Sequence, residues 1–153
     1  MENCKLAAVF PGSFDPFSAG HFDIAQRALK MFDRLIIAVG VNQDKKGMQT
    51  PEERKANIEK IFTAEPRVSV EIYEGLTVDF CRRVGATYIV RGVRHIADFE
   101  FEFTVAQANK AMLPEVDTVL LPASPELAFV SSTIIRDVLR NGGSAAEFLP
   151  PTH

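Results

Sequence analysis

The residues best suited to chemistry in this 153-residue chain stand in four short groups. The first is FPGSFDPFSAGH, residues 10–21. Gly12 and Gly20 allow close backbone approach there, Ser13 offers a hydroxyl, and His21 stands at the start of a predicted helix. The free N–H groups and positive dipole end of that helix would stabilise an anion. The stretch also reads as a plain turn built on Pro11-Gly12 and Asp15-Pro16, with His21 satisfied by a backbone carbonyl. The second group is Lys45 and Lys46 in NQDKKG, a phosphate-facing pair or an ordinary solvated surface. The third is RGVR, residues 91–94, where Arg91 at a strand end must be answered by a ligand phosphate or by Asp98 or Glu102. The fourth is FVSSTIIR, residues 129–136, with Ser131, Ser132 and Thr133 at a predicted helix start. One hydroxyl suffices as a cap, so the others are free for phosphate oxygens. Each group alone has a bland explanation. Their joint occurrence points to polyphosphate chemistry.

Those groups are positioned by alternating elements. Apolar and β-branched runs predict strands over 6–10, 34–41, 67–73, 87–91 and 117–121. Helical spacing predicts helices over 21–32, 51–64, 77–84, 96–112 and 132–140. Thr50, Pro51 and Glu53 form a helix-start signal, while Gly85 and the Asn141-Gly142-Gly143 run are stops. Alternation of this kind predicts an α/β fold: a Rossmann-like, doubly wound, five-stranded parallel sheet with helices on both faces. Ligands in such sheets bind beyond the carboxyl ends of the strands, and the four groups cluster there.

Composition narrows the function classes. The length and 46% hydrophobic content fit one domain over residues 1–153. A net charge of −3 and pI near 5.6 argue against a surface that tracks nucleic acid. Cys4 and Cys81 match no metal-ligand spacing and read as free thiols in a reducing cytosol. Without a signal segment or a long apolar run, a cytoplasmic protein with no membrane partner is expected. There is no G-x-x-x-x-G-K-[ST] loop, G-x-G-x-x-G fingerprint, G-x-S-x-G elbow or H-E-x-x-H, and His95 and His153 do not suggest a zinc cluster. A protein-held metal is not expected.

Ser18-Ala19-Gly20-His21 resembles the His/Thr-X-Gly-His turn of the nucleotidylyltransferase superfamily, with serine in the first position. PGSFDP at 11–16, Lys45-Lys46, PEER at 51–54, RGVR at 91–94, ADFEFE at 97–102, Asn109 and Ser131-Ser132-Thr133 extend the resemblance to the phosphopantetheine adenylyltransferases. That resemblance implies adenylyl transfer from ATP to 4′-phosphopantetheine, giving dephospho-coenzyme A and pyrophosphate, with Mg2+ required and a homohexamer formed. It implies catalytic roles for His21, Lys45, Arg91 and Ser13, and ATP contacts from Ser13, Phe14, Gly20, His21, Gly92, Arg94, Glu102, Ser131, Ser132 and Thr133. Glu102 is placed on the ribose or adenine side. For phosphopantetheine it implies Ser13, Lys45, Leu76, Thr77, Arg91, Asn109 and Met112. Leu76 and Met112 also read as ordinary core, and Asp98 and Glu100 as salt-bridge residues between subunits. Phe101 stands where a tyrosine is expected, and Gly47-Met48-Gln49 replaces an apolar run after the lysines.

Two other readings remain. One is a sister nucleotidyltransferase acting on nicotinamide mononucleotide or on an alcohol phosphate with CTP. The other is a nucleotide-binding module without turnover, against which the simultaneous presence of His21, Lys45 and Arg91 argues.

Overall fold

The computed structural model describes residues 5–44 and 46–151. The chain runs β1 (Ala7–Gly12), α1 (Ala19–Ala28), β2 (Arg34–Gly40), α2 (Pro51–Ile61), β3 (Val68–Tyr73), α3 (Thr77–Val84), β4 (Tyr88–Val93), α4 (Ile96–Met112), β5 (Asp117–Pro122) and α5 (Ser132–Arg140). Single 3-10 turns lie between β5 and α5 at Pro125–Leu127 and after α5 at Ala146–Phe148. The strands form one parallel sheet in the order β3-β2-β1-β4-β5. The doubly wound α/β expectation is met, with the strand order reversing direction between β1 and β4.

Strand parity explains the two-sided core. Along β1 and β2, Ala8, Phe10, Leu35, Ile37 and Val39 face α1 and α2, where Ile24, Ala28 and Ile58 meet them. The intervening Val9, Ile36 and Ala38 face Val78, Phe80, Cys81 and Leu113 from α3 and the end of α4. Central strands covered on both faces are continuously apolar, as these are. Among the described residues no helix is long and apolar enough to cross a membrane.

The pairing of β1 with β4 ends at Val9↔Ile89, whereas β1 stays paired with β2 as far as Gly12↔Val39. The two central strands therefore part at their carboxyl ends. Pro11, which has no N–H to donate, sits in that parted stretch, and its carbonyl accepts from the Arg91 guanidinium.

Several boundaries differ from the sequence expectation. β1 and β4 run two residues further, because Pro11 and Gly92 lie where the ladder between them has already opened. α2 stops at Ile61 rather than 64: the Thr63 hydroxyl donates to the Glu59 and Lys60 carbonyls, 3.2 and 2.9 Å away, in place of a continued helix. α1 begins two residues before His21 and ends at Ala28.

Candidate active site

The turn between β1 and α1 is organised around His21. Ser18 is the N-cap of α1, and its Oγ accepts from the His21 amide at 3.2 Å. The His21 ring reaches back, its Nδ1 accepting from the Ser18 amide at 3.0 Å. This is a capping box in which histidine takes the place usually held by Glu or Gln. With the Nδ1 lone pair engaged, the proton of the neutral ring resides on Nε2. Phe14, Phe17 and Phe10 enclose the ring at centroid distances of 5.0, 5.4 and 6.2 Å. Burial, followed by the positive charges of Arg91 and Arg94, lowers the His21 pKa from 6.5 to about 3. The imidazole is thus a fixed, neutral Nε2–H donor.

His21 lines a cavity of about 250 Å3 beyond the parted strands, together with Gly20, Arg91, Gly92, Arg94 and Ser131, Ser132 and Thr133. The N-termini of α1 and α5 converge on it, and their first-turn N–H groups and dipole ends suit an anion. The three hydroxyls of α5 divide their work. Ser131 Oγ caps the helix by accepting from the Ile134 amide at 3.2 Å. Ser132 Oγ donates to the Pro16 carbonyl at 2.8 Å, and Thr133 Oγ1 accepts from Arg136 at 3.3 Å. Arg136 also donates to the Asp15 carbonyl at 2.8 Å, so α5 is fastened twice to the turn between β1 and α1.

A second cavity, about 360 Å3, opens on the other side of the switch point, lined by Gly12, Ser13, Asn42, Tyr73, Thr77, Phe101 and Asn109 among others. Arg91 and Glu102 line both cavities. Glu102 is buried, and its two oxygens accept from Arg91 Nε at 3.0 Å and Nη2 at 2.7 Å. With Nη1 donating to Pro11, three of the five guanidinium N–H groups are spent on orientation and two remain for a ligand. Arg94 is matched by Asp98, whose carboxylate accepts from Arg94 Nε at 2.9 Å and from its amide at 3.0 Å. Burial works against the Asp98 charge, but these hydrogen bonds outweigh it and hold the carboxyl below its ordinary value.

Residues 9–138 match the cytidylyltransferase-like family. The chain is 49% identical over 143 residues to the phosphopantetheine adenylyltransferase of Flavobacterium psychrophilum, covering 94% of each chain. It is 48% identical to that of Levilactobacillus brevis, covering 94% of this chain and 89% of the relative. This chain belongs to the phosphopantetheine adenylyltransferase family. A solved bifunctional NMN adenylyltransferase/ADP ribose pyrophosphatase from Francisella tularensis superposes with a TM-score of 0.72 at 19% identity, over 98% of this chain and 46% of that one. At that identity the likeness is one of fold.

Within this family member, the residues anticipated for ATP are mostly brought together around one cavity, and two of them make further contacts within the chain. The Phe14 side chain is buried beside His21 and lines neither of these two cavities, so its ring supports the imidazole. Its backbone sits in the left-handed region at φ 51, a costly conformation for a bulky residue that the enclosing rings hold in place. Glu102, anticipated at the ribose or adenine, has both oxygens taken by Arg91 and serves first as its orienter. Asp98, considered for contacts between subunits, is bound to Arg94 of its own chain.

On the acceptor side Ser13, Thr77, Arg91 and Asn109 share the second cavity. Leu76 and Met112 do not line it and are not core either, being 51% and 43% exposed. Lys45 lies outside the described residues. Asn42 and Tyr73, which line the second cavity, were not anticipated, and neither was the capping role of Ser18 at the head of its turn. Only Ser18 carried a signal, the hydroxyl three residues ahead of a side chain able to complete a capping box. Among the described residues no three His, Cys, Asp or Glu side chains are grouped to hold a metal ion. Cys81 is buried and free, and burial raises its thiol to about 11, outside the range of a reactive thiolate.

Proposed function

We propose that the chain transfers the adenylyl group of ATP to 4′-phosphopantetheine, forming dephospho-coenzyme A and releasing pyrophosphate. The observation that carries this reading is the shared wall: Arg91, set by Glu102, stands between an anion-binding cavity at two helix N-termini and a second cavity of mixed polar and apolar lining. Two phosphate-bearing substrates meeting at one guanidinium is the arrangement an in-line displacement at the α-phosphorus needs.

The acceptor phosphate is already ionised, so no protein nucleophile or general base is required. Catalysis is positioning and charge neutralisation. The His21 Nε2–H donates to an α-phosphoryl oxygen and strengthens as charge builds there. The free N–H groups of Arg91 take oxygens of the reacting and departing phosphates. The first-turn amides of α5, with the Ser131 and Thr133 hydroxyls, receive the β- and γ-phosphates, while Ser132, whose hydroxyl proton goes to the Pro16 carbonyl, contributes its backbone N–H. Gly20, Gly92 and Arg94 lie along the nucleotide. Ser13 and Lys45 address the incoming phosphate, with Thr77 and Asn109 along the pantetheine arm.

The two carboxylates lining the nucleotide cavity, Asp98 and Glu102, are engaged by arginines. Mg2+ would then be carried by the triphosphate as MgATP, in keeping with its preference for phosphate oxygens and water, where it would neutralise phosphate charge. A homohexamer is the proposed assembly, and the exposure of Ile96, Phe99 and Phe103 on α4 supports burial of that face against another copy. The proposed location is the cytoplasm.

A substrate panel tests the reading. Pyrophosphate release with 4′-phosphopantetheine and none with nicotinamide mononucleotide is expected; the reverse pattern contradicts it.

A further inference from the structure

Two buried charges belong to neither cavity wall. Asp15 and Arg54 are 6% and 8% exposed and approach to 3.6 Å. The oxygens of Asp15 accept from two consecutive amides, Met48 at 2.8 Å and Gln49 at 2.9 Å. Arg54 donates through Nε to the Gln49 carbonyl at 2.9 Å and through Nη1 to the Ser13 carbonyl at 3.2 Å. The pair therefore ties the loop after β2 to the phosphate turn after β1. Gly47 fits that contact: a Cβ there would fall on the Arg54 guanidinium and within 2.8 Å of Asp15 Oδ2.

A buried ion pair is a poor stabiliser in itself, since a well-packed apolar pair of similar volume often does as well. What an apolar pair does not supply is a partner for two amides and two carbonyls of loops that have no ladder of their own. The tied loop directly follows the lysine pair in sequence, and the tied turn carries Ser13 and, through the Phe14 ring, the support of His21.

We propose that Asp15 and Arg54 are positioning residues for adenylyl transfer, a latch that sets the lysine-bearing loop against the phosphate turn. The kinetic part rests on the function proposed above. Neither side chain touches substrate; both act through the backbone they hold.

The test uses Asp15→Asn, the double variant Asp15→Asn with Arg54→Met, and the full-length wild type. In Asp15→Asn the kcat for pyrophosphate release falls about a hundredfold, the scale of a misplacement of about 1 Å, with the KM for ATP little changed. In the double variant no lone charge stays buried, so the thermal midpoint recovers relative to Asp15→Asn while kcat stays low. Hydrogen exchange of the Met48 and Gln49 amides is slow in the wild type and fast in Asp15→Asn. A double variant that regains both stability and turnover, or amide protection that Asp15→Asn leaves unchanged, overturns the latch. The exchange readout decides even if the wild type does not use 4′-phosphopantetheine, an outcome that would sink the functional reading alone.

Discussion

Arg91 and Glu102, on β4 and α4, meet through two parallel hydrogen bonds of 3.0 and 2.7 Å, in the wall that separates the two cavities. The fork-to-fork geometry fixes the guanidinium plane as well as its position, which a lysine could not do. Glu102 thus governs where the remaining Arg91 donors point.

Glu102→Gln replaces one acceptor oxygen by an NH2 that opposes the guanidinium. Turnover falls about a hundredfold through misplacement of Arg91. Unfolding in urea shows a loss of about 1–3 kcal/mol, the cost of an unsatisfied buried partner. Unchanged turnover would mean that the orientation of Arg91 is immaterial.

His21 stays neutral through the physiological range. Its 15N spectrum is expected to show the Nε2–H form and no titration between roughly pH 5 and 8, against the ordinary histidine value of about 6.5. In the unfolded chain the same imidazole takes up a proton near 6.5, and in the folded chain only near 3. The unfolded state therefore binds more protons in between, and the His21 contribution to stability, complete above pH 6.5, is lost as pH falls toward 3. Replacing His21 by Gln, which can complete the capping box without ionising, flattens that acid loss in a pH series of denaturation curves.

Ser18→Ala removes the cap and one side of the box, while the Ser18 amide remains to hold Nδ1. A loss of about 1 kcal/mol in folding stability is expected. Although Ser18 lines the nucleotide-side cavity, its hydroxyl is engaged with His21, so ATP affinity measured calorimetrically should stay near wild type. A large loss of affinity would give this hydroxyl a direct ligand role.

Ser132→Ala cuts one of the two fastenings between α5 and the phosphate turn. The KM for ATP rises by about tenfold, equivalent to about 1.4 kcal/mol, the scale of one hydrogen bond, and kcat changes less. A drop confined to kcat would argue instead for contact with the reacting phosphate.

Much of this was legible in the sequence. Thr77–Val84, Ile96–Met112 and Ser132–Arg140 are helices where spacing and stop signals placed them. Glu102 was already one of two carboxylates named as able to answer Arg91. What stayed hidden depended on contacts between distant segments. The expected strands end at Phe10 and Arg91, short of Pro11 and Gly92, and only the parting of β1 from β4 shows how those two residues are accommodated. Asp15 before a proline looked like turn chemistry, and nothing in the spacing of Asp15, Met48 and Arg54 announces that they meet. Leu76 and Met112 show the converse error, since apolar residues at helical spacing suggested core and the fold leaves both half exposed.

His21, as the neutral donor to the α-phosphate, is the centre of the proposed mechanism. The most direct measurement is magnesium-dependent pyrophosphate release from ATP and 4′-phosphopantetheine by wild type and His21→Ala, each checked for an intact fold. The account predicts a rate at least about a hundredfold lower for a folded His21→Ala, the loss expected when one transition-state hydrogen bond is removed. Equal rates in the two proteins would contradict it.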